Sequence, residues 1–426
     1  MSKHPTFGRA LRSEFLLDED FVPLNHGSFG TCPRSIHPLR SEWQRKSELN
    51  PDHFFRHFVH LQLAKTRERL ARFVHCDADE LAILINATAG INAVVRSLKF
   101  KPGDKILCAS TLYNAIERTM AFIQDSQNVQ LVKVDLVYPL SDRQVVDAFK
   151  DTIERERAKD PNVPIRMAVF DAISSVPGVR CPFEALIKLC KEYEILSLVD
   201  GAHAIGQIPL DLHESDPDFF ITNCHKWLHV PRGAALLYTP RRNHSLIHPG
   251  IINYAYKDYS QCDDDAEVTA AYQLEFGWPG TMDFSSFLCI DAALDFRESL
   301  GGEEAIQSYC NDLARRGGEL VASKWGTEIL ENEDKTLTVA MANVRLPFSN
   351  KGNLPDRQIS KAFLEKFNDE HHTLGQPFKH NGHWYMRLSA QVYNDESDFE
   401  HMAQAGLKVC QDLDATTSYQ GQWTIG

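Results

Sequence analysis

The chain has 426 residues, 43% hydrophobic and 24% charged, which fits an ordinary globular protein with two domains or one large domain and a cap. Its net charge of −13 argues against nucleic-acid or anionic-membrane partners, because phosphate binding needs a basic surface. Ten cysteines are scattered without CxxC pairs or metal-ligand spacing, as reduced thiols of a cytosolic protein would be. No apolar run opens the chain, and Glu14, Asp18, Glu19 and Asp20 speak against a targeting peptide. No segment reads as a membrane span, so the expected location is cytoplasmic.

Taken in chain order, residues 1–20 read as a segment joining a small domain, 21–300 as a large domain and 301–426 as the small C-terminal domain. Short buried strands are expected at Leu81–Ile85, Lys105–Ala109, Gln130–Val134, Arg166–Phe170, Ile195–Val199, Phe219–Thr222 and Ala234–Tyr238. Helical periodicity lies between them, as in Phe183–Tyr193 with Ala185, Leu186, Leu189 and Cys190 on one side. This alternation predicts an α/β fold, a mostly parallel seven-stranded sheet with helices on both faces. Residues 243–275 are polar and aromatic and read as a long loop. Beyond Gly301-Gly302, helices over Glu303–Ser323 and Ser360–Asp369 flank weaker strands near Leu337–Arg345 and Trp384–Leu388, a smaller α+β domain.

The chemistry concentrates at strand ends. One strand ends in Asp200-Gly201-Ala202-His203, and another runs into Asn223-Cys224-His225-Lys226-Trp227. A carboxylate and a lysine at neighbouring strand ends suit pyridoxal phosphate: the amine forms a Schiff base, and the carboxylate keeps the pyridine nitrogen protonated. Either residue alone is commonplace. Asn86-Ala87-Thr88-Ala89-Gly90 follows a strand and opens a helix, so the backbone N–H groups of Ala87, Thr88 and Ala89 can face a phosphate; an ordinary threonine cap is the bland alternative. His225 can supply a second phosphate contact or simply bond to backbone. Tyr113 is placed to stack on an aromatic ring, or to pack. Arg387 sits in an apolar strand that would not bury a guanidinium without a partner; a substrate carboxylate or an internal acid would serve. His53, His57 and His60 share a helical face without accompanying carboxylates, and no metal site is expected there.

On these motifs, together with Leu24-Asn25-His26-Gly27-Ser28-Phe29-Gly30, Gly280-Thr281-Met282-Asp283 and Arg387-Leu388-Ser389, the chain resembles the class V aminotransferase family of fold-type I pyridoxal-phosphate enzymes. The resemblance spans nearly the whole chain. It implies Lys226 as the cofactor's attachment point, with Asp200 at the pyridine nitrogen, Tyr113 stacked on the ring and His203 at the phenolate oxygen. Thr88, His225 and the Asn223 segment would hold the phosphate, and Asn25, His26, Gly27 and Arg387 the substrate. Thr281 would reach the phosphate of a neighbouring subunit, so a homodimer with a shared site is implied.

Where many members carry glutamine, this chain has His203, whose titration is expected to add a pH dependence. Cysteine desulfurases of the family need a mobile thiol ahead of the arginine strand, and none lies between Lys351 and Tyr385. The opening motif and Cys-His-Lys-Trp are most similar to a fungal branch holding hercynylcysteine sulfoxide lyases and loline-type cyclases. The lyases carry a cysteine where this chain has Val132-Lys133-Val134-Asp135, which counts against that assignment. The expected activity is carbon–sulfur β-elimination. The alternatives are carbon–carbon bond formation, epimerisation or transamination, and, outside enzymes, a binding protein on a decayed cofactor fold.

Overall fold

A computed structural model describes residues 6–423. Seven strands form the central sheet: β1 (Leu81–Leu84), β2 (Lys105–Ala109), β3 (Gln130–Val134), β4 (Ile165–Asp171), β5 (Leu196–Asp200), β6 (Phe219–Thr222) and β7 (Ala235–Tyr238). Their order is β1-β7-β6-β5-β4-β2-β3, and β7 alone runs antiparallel to its neighbours. Met167 to Phe170 in β4 and all of β6 are buried, as strands covered on both faces require. On the helix Phe183–Glu192, Ile187 rather than the expected Ala185 completes the buried face, and Ala185 is exposed.

The first helix after β1, α1 (Ala87–Ser97), lies close against the sheet. A Cβ on Gly90 would stand 2.9 Å from Ile221 in β6, so glycine permits that approach. Register pairs Asp171 with Asp200, and Asp200 with Ile221, so β4, β5 and β6 end side by side. Sheets of this kind bind ligands beyond those carboxyl ends.

The expected loop over 243–275 is corrected in its second half, where a helix, α2, spans Asp265–Gly277. Asp264 caps it by accepting from Glu267 N at 2.8 Å, and Tyr272 stacks on His244 with ring centroids 4.0 Å apart. Its buried face carries Glu275 beside Tyr272 and Phe276, while Leu274 is exposed, and that mixture hid the period.

The C-terminal part has a three-stranded antiparallel sheet of β8 (Met341–Arg345), β9 (Gln376–His380) and β10 (His383–Ser389), in the order β9-β10-β8. Strand β9 was not anticipated from the sequence. Helices Glu303–Trp325 and Glu396–Asp414 enclose a second core around Leu313, Phe363, Met386 and Phe399. The N-terminal segment meets this part: Arg12 pairs with Asp398 at 2.7 Å, and Val22–Pro23 runs parallel to Thr373–Leu374. Residues 1–5 and 424–426 of the expected domain spans lie outside the described residues. Among the described residues no helix is long and apolar enough to cross a membrane.

Candidate active site

A cavity of about 220 Å³ opens beyond the ends of β4, β5 and β6, lined by Thr88, Tyr113, Asp171, Asp200, His203 and Lys226, among others. A larger surface groove of about 1100 Å³ lies at the starts of β4 and β5, beside Ile165, Arg166 and Leu196, away from these groups. Asp77, Glu80 and His213 also converge elsewhere, but Arg241 already pairs with Asp77 at 2.7 Å and His213 with Glu80 at 3.0 Å.

Lys226 projects into the cavity just past β6, its Nζ 3.1 Å from His203 Nε2. Burial, reinforced by the charge of Arg387, lowers its pKa from 10.5 to about 7 against the opposing pull of Asp200. At neutral pH a large share of this amine is uncharged. Asp200 is buried, accepts from Ala202 N at 3.0 Å, and has its pKa raised by loss of water. Asp171, which the sequence reading missed, lies beside it and accepts from Thr111 Oγ1 at 2.8 Å. Burial and the charge of Asp200 push Asp171 well upward. Its signal was available, an aspartate at the end of a buried strand, as at Asp200. Two buried carboxyls with no full countercharge form a pocket that a cationic ring nitrogen would neutralise.

At the start of α1 the expected phosphate donors need correction. Ala87 N already donates to Asn223 Oδ1 at 2.9 Å, and Ala89 N to Asn86 Oδ1 at 2.8 Å. The side chains satisfy these donors, leaving the Thr88 N–H and hydroxyl, at the positive end of the helix, as the groups there that face an anion. His225 Nδ1 lies 2.8 Å from the carbonyl of Ala234, which accepts its proton and leaves Nε2 for another contact. Tyr113 is half exposed at the cavity mouth, just before the helix Asn114–Gln127.

Arg387, on β10, is 1% exposed, and among the described residues no carboxylate pairs with it. It donates from Nη1 to Ser175 O at 2.7 Å, and from Nη2 to Asn25 Oδ1 at 3.1 Å and Ser28 Oγ at 3.0 Å. Among the described residues its Nε has no partner. Burial lowers its pKa to about 10, so it stays charged. Gly178 permits this approach, since a Cβ there would sit 2.7 Å from Arg387 Cδ. Ser28 lay inside the Leu24–Gly30 motif without a role of its own, and Ser175 had no sequence signal. Gly27 is buried against Ser389 Oγ, which accepts from Gly27 N at 3.1 Å.

Two histidines meet partners that the sequence did not show. His26, like Asn25, Gly27 and Arg387, is not among the residues lining the cavity; its Nε2 lies 2.9 Å from Lys226 O and its Nδ1 2.8 Å from Tyr393 Oη, so both ring nitrogens are engaged, Nε2 alone by the Lys226 backbone. His203 is buried and its pKa falls well below the ordinary value through burial and the nearby charges of Lys226 and Arg387, which favours the neutral imidazole and moves its titration to lower pH than expected. Thr281 is exposed and borders a different cavity, about 590 Å³, with Trp43 and Phe55.

The buried carboxyl pair, the proton-poor lysine and the free helix end fit pyridoxal phosphate. The fold and these groups define a pyridoxal-phosphate-dependent enzyme. Residues 46–351 match the family described as aminotransferase class-V, and the chain belongs to it. Hercynylcysteine sulfoxide lyase of Schizosaccharomyces pombe is 30% identical, over 96% of this chain and 100% of the relative. An L-cysteine desulfhydrase-like protein of Epichloe uncinata is 31% identical, over 97% of this chain and 96% of its own. Among solved structures, a cystine C–S lyase in complex with its product cysteine persulfide superposes with a TM-score of 0.75 at 17% identity, covering 93% of this chain and 98% of that one. A cysteine desulfurase from Escherichia coli gives 0.70 at 16%, covering 94% and 98%. At such identities the likeness concerns the fold.

Proposed function

We propose that this chain is a carbon–sulfur lyase acting by β-elimination on a cysteine conjugate or its sulfoxide. The observation that carries the reading is a proton-poor amine, Lys226, facing the cavity near a buried guanidinium, Arg387, that no carboxylate neutralises. The names of relatives matched along the whole chain support the sulfur leaving group: a sulfoxide lyase and L-cysteine desulfhydrases. The lack of cysteine between Lys351 and Tyr385 argues against moving sulfur onto the protein itself.

Lys226 would attach the cofactor, Asp200 and Asp171 would answer the charge of its ring nitrogen, Thr88 and His225 would hold the phosphate, and Tyr113 would pack on the ring. Pyridoxal phosphate, when bound, supplies an electron sink conjugated to the substrate amine. Arg387, steadied by Asn25, Ser28 and Ser175, would grip the substrate carboxylate and present the α-proton to Lys226. The Lys226 amine, free to act as a base, would take that proton. For a sulfoxide, cysteine conjugate plus water gives a sulfenic acid, pyruvate and ammonia; the C–S bonding pair leaves with sulfur.

Pyruvate release from cysteine S-conjugate sulfoxides tests the assignment. No pyruvate, with α-proton exchange retained in deuterium oxide, would replace it by carbon–carbon bond formation or epimerisation. Thr281, lying away from its own Lys226 cavity, is assigned to a partner's site in a homodimer. A fully active monomer in light scattering would remove that assignment. A cytoplasmic setting accords with the ten free cysteines.

A further inference from the structure

Trp227, directly after the lysine, is 2% exposed, and its indole Nε1 lies 3.2 Å from Nδ1 of His203. An indole N–H only donates, so Nδ1 must offer its lone pair. A neutral imidazole then carries its single proton on Nε2, which lies 3.1 Å from Lys226 Nζ. That N–H needs an acceptor. A free amine has a lone pair to give; an ammonium has only donors and would oppose it. Trp227 and a protonated Lys226 therefore compete for one imidazole that cannot accept at both nitrogens.

The arrangement is held from several sides. Arg297 donates to Trp227 O at 2.7 Å and to Gly206 O at 2.9 Å, tying the segments that carry Lys226 and His203. Gln207 Nε2 donates to His203 O at 2.7 Å. A Cβ on Gly206 would stand 2.7 Å from Trp227 O, so the two segments touch. The titratable groups facing the pair are Asp200 on β5, Arg387 on β10, and His26. The Arg387 cation favours a free amine at Lys226 and a neutral imidazole at His203, and Asp200 opposes it at Lys226; His26, its own pKa lowered to about 4 by burial, is neutral. None of them fixes which imidazole nitrogen bears the proton; Trp227 does.

We propose that Trp227 is a positioning residue whose indole N–H fixes the His203 proton on Nε2, and that this donor holds Lys226 as the free amine needed for cofactor attachment. The inference rests on reading Lys226 as the attachment point, but its test reads protonation in the cofactor-free full-length chain. If the protonation result holds while the cofactor attaches elsewhere, the functional reading fails and this one stands.

The test is competitive acetylation of Lys226 across pH, followed by peptide mass spectrometry, in four proteins: the native chain, W227F, H203Q and W227F/H203Q. Phenylalanine keeps an aromatic ring but removes the donor, so His203 can move its proton to Nδ1 and accept from an ammonium. The W227F midpoint should rise by about one pH unit, the worth of one ordinary hydrogen bond. In the H203Q background, Trp227→Phe should leave the midpoint unmoved. An unshifted W227F midpoint, or an equal shift in both backgrounds, overturns the proposal. Should W227F fail to fold, nitrogen-15 spectra of the native protein decide alone, with His203 assigned by its loss in H203Q. A proton on Nε2 is expected, and a proton on Nδ1 contradicts the mechanism.

Discussion

Two buried arginines show how the molecule separates support from chemistry. Arg297 and Arg387 are each 1% exposed. Arg297 has its countercharge: it pairs with Glu303 and donates to the carbonyls of Trp227 and Gly206. Among the described residues Arg387 meets only neutral oxygens, and its Nε meets none. A buried cation with its carboxylate in place is finished structure, whereas one without it awaits a ligand's charge. The carboxylates repeat the contrast. Asp398 has Arg12 at 2.7 Å, while Asp200 lies beside another acid and a lysine that burial drives towards neutrality.

The largest test of the contrast is Asp200→Asn. If Asp200 stabilises charge on the bound ring, α-proton exchange should slow by about 10²–10³-fold while the cofactor stays bound. A near-normal exchange rate would reduce Asp200 to a structural acid. Next comes Arg297→Met, which strands Glu303 and two carbonyls and should cost about 3 kcal/mol in denaturant unfolding of the cofactor-free chain. Arg387→Met should stay within about 1 kcal/mol of the native chain in the same assay, because no ion pair is broken. Equal losses at the two sites would erase the distinction drawn here. Arg387→Lys should weaken amino-acid binding about tenfold or more, since an ammonium cannot reproduce the forked contact; unchanged affinity would make Arg387 structural.

The remaining test is one of pH. Lys226 titrates near 7 in the folded chain and at 10.5 when free of the fold, so between these values the unfolded chain binds more protons. Stability gained from this group therefore rises with pH across that window, and the penalty for burying the charge is fully present below it. A Lys226→Met variant lacks the penalty. Its stability advantage over the native chain should be greater at pH 7 than at pH 9, and a gap that widens with pH would have the wrong sign.

Much of the large domain was legible because buried parallel strands are written as short apolar runs, and all seven fall within a residue or two of their expected bounds. The helix Asp265–Gly277 was not, because Glu275 lies on its buried face and Leu274 on its exposed one. Lys226, Asp200, Thr88 and Tyr113 announced themselves as polar groups at strand and helix ends, and they do line one cavity. What the sequence withheld was partnership. That His26 serves Tyr393 and the Lys226 carbonyl, or that Asn86 and Asn223 consume the donors of Ala89 and Ala87, depends on residues up to 367 positions apart. Ser28 and Ser175 reach Arg387 in the same way, from segments that only the assembled fold brings together.

The most direct measurement is to load the purified protein with pyridoxal phosphate, reduce it with borohydride and map the labelled peptide. The account predicts a visible band before reduction and a single adduct on Lys226, both absent from Lys226→Ala. An adduct on another lysine, or a band that survives in that variant, would contradict it.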